Sequence, residues 1–380
     1  MWYMNEEREM IASTVKQFAE NELKPFVNEM EENEAVPKDL ILKMAQLGFL
    51  KFGINPELTG YDRKDIINHA LVIEELGKIS NTFAVLCNVQ SMFYSTLANS
   101  CTPEQTEKYF MPALDGKAII GSCANESLVW DVSTWSTKAK QEGDEWVING
   151  SKVLITFAEA MDTAMIIAMP EGEINPQLGF FASQIFLAPT STPGFKVGHI
   201  ERKVGWHGSS TGQIYFNDVR VPEADRIPTD GYVNSMYEAN VLGFVGYGSA
   251  MLGSMEGVLA QTIAYLKDRN IGGVSYWDAH ESIRFDIARL WQKVDLYRNA
   301  VYSCAAEAET GSQSASLTST ALKYEGSYLL EKVASECMTL CGGVGVVSGT
   351  GIERFYRDAK ICAMACGSIN TNLATISSVL

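Results

Sequence analysis

The run GDEWVINGSKVLIT, Gly143–Thr156, alternates apolar and polar residues and is rich in β-branched types, in a chain whose two ends read as helix. Asn149-Gly150 stands between apolar pairs, and a two-residue turn needs positive φ at both central positions, so the run predicts a hairpin turning at Asn149–Gly150. Four other runs share its character and are bounded by Gly, Pro, Asn or Asp: AIIGSCANES (118–127), TAMIIAM (163–169), SQIFLAP (183–189) and TGQIYFNDVRVP (211–222). Together they predict a β-domain over residues 117–227.

On either side the apolar period lengthens to that of a helix. Residues 7–23, 37–50 and 65–79 each carry one apolar stripe opposite a charged face, and Pro103 opens another helix in TPEQTEKYF. Residues 1–116 are therefore expected to form a helical domain. Beyond Pro228 the runs 253–269, 282–309 and 319–340 are long and apolar over broad faces, as in a helical bundle that also packs against another subunit, over residues 228–380. The fold class is α+β multidomain: N-terminal α-helical domain, middle β-barrel or sandwich, C-terminal four-helix bundle.

The 380 residues are 46% hydrophobic and 20% charged, with no low-complexity run, which places the chain among globular proteins. A net charge of −16 opposes attraction to nucleic acid or to an anionic membrane. The first ten residues lack a basic start and an apolar core, and no 18 consecutive residues are apolar, so a cytoplasmic location is expected. Eight dispersed cysteines read as reduced thiols. The pairs Cys337/Cys341 and Cys362/Cys366 share helix-face spacing, but structural zinc sites favour tighter loop knuckles, and no metal is expected. GGVGVVSG (342–349) has Ser348 where a dinucleotide fingerprint has its last glycine, and it follows a helix rather than a strand.

The domain order and five motifs, GDEWVINGSKVLIT, VGWHGSSTGQIYFNDVRVP, YLKDR before Gly272-Gly273, LCGGVG and ERFYRDAKI, resemble the acyl-CoA dehydrogenase flavoprotein superfamily over essentially the whole chain. The resemblance implies FAD between the β-domain and the bundle, partly across a subunit interface, in a homo-oligomer (tetramer or dimer). It implies that Thr156 contacts the isoalloxazine and that Arg269 reaches the pyrophosphate of a neighbouring subunit's FAD, a role suited to a permanently charged fork. Gly342 and Gly343 match the paired glycines that let backbone approach the cofactor, and Ser368 and Asn370 match positions binding flavin or adenine. Cys123, Asn125 and His280 complete the expected cofactor-contacting set.

The departures from the family pattern bear on activity. In desaturating members a glutamate before the glycine of the C-terminal turn removes the substrate's α-proton; here that residue is Cys366. A subgroup carries the glutamate on the first bundle helix, where this chain has Gly243 followed by Phe244. The family's T-E-P-x-A-G-S-D loop becomes ANESLVWD, with Trp130 in place of a small residue and Asp131 retained. A thiol of reference pKa about 8.5 is a poor replacement for a carboxylate whose positioning contributes ~10²–10⁴-fold.

Oxidation at a carbon already bearing oxygen makes a smaller demand, because the proton lost is a hydroxyl proton. The chain looks similar to family branches that oxidise carrier-protein thioesters to aminomalonyl or hydroxymalonyl extender units in polyketide and peptide assembly. The expected activity is FAD-dependent dehydrogenation of a small oxygenated acyl thioester on an acyl carrier protein or CoA, with an electron acceptor left open. Glu126, Glu238 and Cys366 are the candidate catalytic groups, and Lys196 with Glu201–Lys203 is a candidate contact for an acidic carrier, with a solvated turn as the alternative. The alternatives are a desaturase with a relocated base, a flavin-dependent monooxygenase of the same fold, and a flavin-free interaction protein.

Overall fold

The structure is a computed structural model, and it describes residues 1–34, 37–126, 134–172, 182–228 and 232–378. The N-terminal part comprises α1 (Glu6–Phe18), α2 (Val27–Asn33), α3 (Lys38–Gln46), α4 (Pro56–Thr59), α5 (Ile66–Gly77), α6 (Asn81–Ala98), α7 (Pro103–Gln105) and α8 (Met111–Leu114). The helices start where side chains satisfy free backbone donors. Asn5, Asp65 and Ser80 accept from the N–H three residues on, and Thr102 forms a capping box with Gln105 ahead of Pro103. Helix α6 is buried on nearly every side and forms the centre of this layer.

Seven strands make one curled sheet: β1 (Ile120–Cys123), β2 (Lys138–Glu142), β3 (Glu145–Thr156), β4 (Thr163–Pro170), β5 (Gln184–Pro189), β6 (Phe195–Ile200) and β7 (Thr211–Pro222). Their order is β1-β4-β2-β3-β7-β6, with β5 also paired to β4. The β4 pairings with β1 and β2 are parallel and the rest antiparallel.

Asn149–Gly150 is not the hairpin turn. Strand β3 runs straight through it, and the chain reverses instead at Gly143–Asp144, between paired Glu142 and Glu145, with positive φ of 65° at Gly143. A glycine at the first central position suits that two-residue turn. Asn149–Gly150 marks a register shift against β7, where Asn149 and Asp218 exchange two 2.9 Å hydrogen bonds. A side chain at Gly150 would reach within 2.5 Å of the Thr137 backbone, so glycine is required there for close approach.

The C-terminal part comprises α9 (Tyr232–Asp268), α10 (Tyr276–Ala279), α11 (Glu281–Glu309), α12 (Ser314–Cys341), α13 (Ile352–Cys362) and α14 (Ile369–Ser377). Helix α9 packs on α11 and α12 and also on α5 and α6, joining the two helical layers. At the α5–α9 crossing the backbones nearly touch. A Cβ on Gly77 would lie 2.6 Å from the Ala250 carbonyl, and one on Gly253 would run into the Glu74 carbonyl. Nearby, buried Glu74 pairs with Arg298 at 2.9 Å and accepts from Tyr302 Oη, tying α5 to α11. Among the described residues no helix is long and apolar enough to cross a membrane.

Candidate active site

After α13 the chain turns through Cys366 and Gly367, which adopt consecutive positive φ values of 49° and 91°, and Ser368 then caps α14 by accepting from Thr371 N–H. Two side chains from the bundle hold this turn. The Lys323 ammonium, buried on α12, donates to the Gly367 carbonyl at 2.6 Å, and Tyr247 Oη on α9 lies 3.1 Å from Cys366 Sγ. Burial pushes the Cys366 thiol up, against the opposing pull of Tyr247 and Lys323, and burial lowers Lys323. Cys366 is exposed as a residue although its Sγ is turned in against Tyr247. Of the remaining cysteines Cys101 is half-buried and six are buried. Among the described residues no three His, Cys, Asp or Glu side chains converge as metal ligands.

Neither glutamate expected as a base stands beside this turn. Glu126 makes a buried ion pair with Lys152 at 2.9 Å and accepts from the backbone N–H groups of Ser136 and Thr137. Burial would raise its carboxyl, but Lys152 and those N–H groups hold it below the usual carboxylate range. The geometry thus commits Glu126 to clamping β2 and β3, since a carboxylate already saturated by an ammonium and two amides is a weak proton acceptor. Glu238 is exposed and pairs with Lys64 at 2.8 Å and Asn99 at 3.0 Å. It lies nine residues before Tyr247 on α9, which at about 100° per residue puts it on the opposite face from the thiol.

Gly243, one turn before Tyr247, packs against the Met92 side chain of α6: a Cβ there would lie 2.6 Å from Met92 Cε, so Met92 must move to admit one. Asn88 donates to the Gly243 carbonyl at 3.0 Å and seals the backbone behind it. Trp130 and Asp131 of the altered loop lie outside the described residues. Cys123 ends β1 with its thiol raised to about 12 by burial, against a lowering pull from Lys152, and the Asn125 carbonyl accepts from Val153 N–H.

The residues expected to hold FAD fall into three groups. Half-buried Thr156 pairs with Thr211 at the end of the sheet, and beside them the buried Ser210 hydroxyl has no hydrogen-bond partner. Ser368 and Asn370 open α14. Arg269, at the end of α9, stacks over the Tyr276 ring at 4.4 Å, and that ring meets His280 edge-on at 4.4 Å. Burial raises the Cys341 thiol while Thr262 and Arg269 pull it down, which brings the guanidinium's influence to the residue before Gly342. Gly342 and Gly343 line a cavity of about 520 Å³ with Met338 and Tyr356, and a Cβ at either glycine would meet nothing within 4 Å.

An orphaned hydroxyl, an arginine with no carboxylate at ion-pair distance among the described residues, and an open glycine pair fit a polar, phosphate-bearing cofactor. A second cavity, about 830 Å³, lies between α9 and the N-terminal helices, away from Thr156 and Cys366. Tyr247, Lys323, Met92 and Ser210 were not singled out by sequence. Lys323 carried one signal, a lone charge inside the otherwise uncharged run STALKY.

The chain matches the acyl-CoA dehydrogenase N-terminal domain over residues 5–117, the middle domain over 127–219 and the C-terminal domain over 245–380. It is 30% identical to the short/branched chain specific acyl-CoA dehydrogenase of Rattus norvegicus mitochondria, covering 97% of this chain and 84% of the relative. It superposes on butyryl-CoA dehydrogenase from Megasphaera elsdenii with a TM-score of 0.90 at 25% identity, covering 99% and 98% of the two chains. The prolyl acyl carrier protein oxidase AnaB shares the fold at a TM-score of 0.87 and 21% identity, covering 99% of each.

Proposed function

Because the chain belongs to the acyl-CoA dehydrogenase family, whose members are FAD-dependent oxidoreductases acting on acyl thioesters, we propose that it dehydrogenates a small oxygenated acyl thioester borne on a carrier protein. The substrate class is an aminomalonyl- or hydroxymalonyl-type semialdehyde rather than a saturated fatty acyl-CoA. The observation that carries this reading is the state of the two positions where a base is expected: a thiol tied to Tyr247 at Cys366, and a glycine packed against Met92 at Gly243. A thioester α-carbon does not release its proton without a positioned base, worth ~10²–10⁴-fold. A hydroxyl or hydrated aldehyde passes its proton to water. The likeness to an acyl carrier protein oxidase extends to the fold and is compatible with a carrier-borne substrate.

Thr156, Ser210, Ser368 and Asn370 would hold the flavin end of FAD; Arg269 and the Gly342–Gly343 backbone would hold a pyrophosphate, of a second subunit's cofactor in the oligomer we infer. Bound FAD supplies a two-electron acceptor. The protein's own part is to orient the thioester against the Cys366 turn and to keep a carboxylate away from its α-carbon. A homo-oligomer is supported by Phe285, Trp291, Leu296 and Tyr328, which leave large apolar side chains exposed on α11 and α12.

Anaerobic titration of the yellow protein tests the reading. An aminomalonyl-semialdehyde thioester on a carrier protein should bleach the flavin, and butyryl-CoA should leave it oxidised; bleaching by butyryl-CoA alone would reverse the assignment.

A further inference from the structure

The cavity of about 830 Å³ contains a charge that the proposed reaction does not use. Its walls come from α9, from the segment joining α1 to α2, from the end of α5 and from the turn Gly349–Gly351 that leads into α13. Arg354, in the first turn of α13, lines this cavity and is only 6% exposed. One of its N–H groups reaches the Ile79 carbonyl at 2.9 Å, its Nε has no partner, and among the described residues no carboxylate lies at ion-pair distance from it. The acids that influence it are turned elsewhere: Asp358 accepts from Trp206 N–H, and Glu31 and Glu353 pair with Arg357 at 2.7 and 3.4 Å. An arginine buried to this degree is ordinarily paired. Every polar atom of a guanidinium is a donor, so any edge of Arg354 that meets the cavity presents N–H groups and positive charge.

The carboxylates of the wall do not supply the missing anion. Glu20 is taken by Lys24 at 2.6 Å, and Glu256 by Arg298 and by Lys78, the latter at 3.3 Å. The start of α13 adds to the positive end. Its N-cap is Gly351, no side chain caps its free N–H groups, and Gly349, Thr350 and Gly351 bring that end of the helix to the cavity. The glycine-rich run 342–351, which fails as a dinucleotide fingerprint, thus ends at a helix start of the kind that receives phosphate. Farther along the wall Ala260, Ala264 and Tyr265 form an apolar strip on α9, and the amides of Asn28 and Gln261 each offer donors and an acceptor. The volume far exceeds that of a phosphate ion and falls within the ~300–1,000 Å³ of small-molecule sites.

We propose that this cavity binds a nucleoside phosphate, with the phosphate on Arg354 and the start of α13 and the base along the α9 strip at Tyr265, between the Asn28 and Gln261 amides. The site is separate from the residues assigned to FAD and does not depend on which thioester the protein oxidises.

Calorimetric titration of the flavin-loaded protein with ADP tests the proposal, because the flavin site is then filled. ADP should bind once per chain, more weakly as salt rises, and about tenfold or more tighter than inorganic phosphate. Gln261 Oε1 would lie 3.1 Å from a Cβ on Gly351, so Gln261→Glu sets a carboxylate at the start of α13 and should weaken ADP about tenfold. Arg354→Met should do the same; its flavin content and circular dichroism are checked, and Gln261→Glu decides alone if that variant misfolds. Bound ADP should also slow hydrogen exchange at the amides of residues 352–355. Absence of binding, or binding that the correctly folded variants do not weaken and that leaves those amides unchanged, overturns the site. Phosphate binding as tightly as ADP, with the same losses in the variants, overturns the nucleoside in favour of a bare anion.

Discussion

Lys152 has no exposed side-chain surface, so neutralising its partner strands an ammonium in the sheet. Glu126→Gln should therefore cost about 3–5 kcal/mol in urea unfolding, the penalty for half a buried pair. Glu238→Gln, at an exposed pair, should change stability by less than about 1 kcal/mol. Equal, small effects of the two would show that the Lys152 pair is not a clamp. Both carboxylates look alike as letters in the chain. What separates them is which partner the fold brings across 26 or 174 residues, and no local pattern encodes that. Cys366 was legible as a departure from a motif, whereas Tyr247 and Lys323, 119 residues from Cys366 and 44 from Gly367 respectively, became visible only through packing.

Among the elements, those with a sharp polar–apolar contrast were the ones readable beforehand. Helices α3 and α11 carry it, α3 burying Ile41, Met44 and Ala45 on one face and α11 burying Ile283, Ile287, Leu290 and Val294; α5 and α6 do not, because burial on nearly all sides removes the polar face that makes a period visible. Strands β2 and β6 were missed for the opposite reason: KAKQE buries one residue in five and FKVGHI none. The misplaced hairpin has a local cause too. Asn-Gly and Gly-Asp both accept positive φ, and the choice between them was made by the bulge that Asn149 builds with Asp218. At the α5–α9 crossing, Gly253→Ala gains helix propensity of nearly 1 kcal/mol but drives a methyl into the Glu74 carbonyl. A net loss of up to about 2 kcal/mol by chemical denaturation is expected, from overpacking costs of about 1–3 kcal/mol less the propensity gain. A net gain would mean that the helices part freely.

Across the whole molecule, the helix–sheet–helix order was legible because period changes twice along the chain, but the joint between sheet and bundle was not. There, buried Asp358 of α13 accepts from Trp206 N–H at 2.7 Å and from Thr82 Oγ1 at 3.3 Å, with Arg354, Arg357 and Glu31 as its charged neighbours. Burial and Glu31 raise its carboxyl to about 6, against the pull of the Trp206 N–H and the two arginines. The folded state then holds this proton more tightly than the unfolded chain, so its contribution to stability is full below about pH 4 and is lost as pH rises to about 6. Asp358→Asn should remove that slope, and its stability advantage over the wild type, on the order of 3 kcal/mol or less at pH 7, should vanish near pH 4. Parallel pH curves for the two proteins would refute the assignment.

The thioether of Met92 resting on Gly243 also bears on how the two positions tolerate change. A glutamate at 243 would crowd the Met92 side chain, which must turn aside or shrink to admit it, and a smaller residue at 92 alone leaves a void between the helical layers. Residues 92 and 243 are therefore coupled, so the effects of substitutions at the two positions should not add.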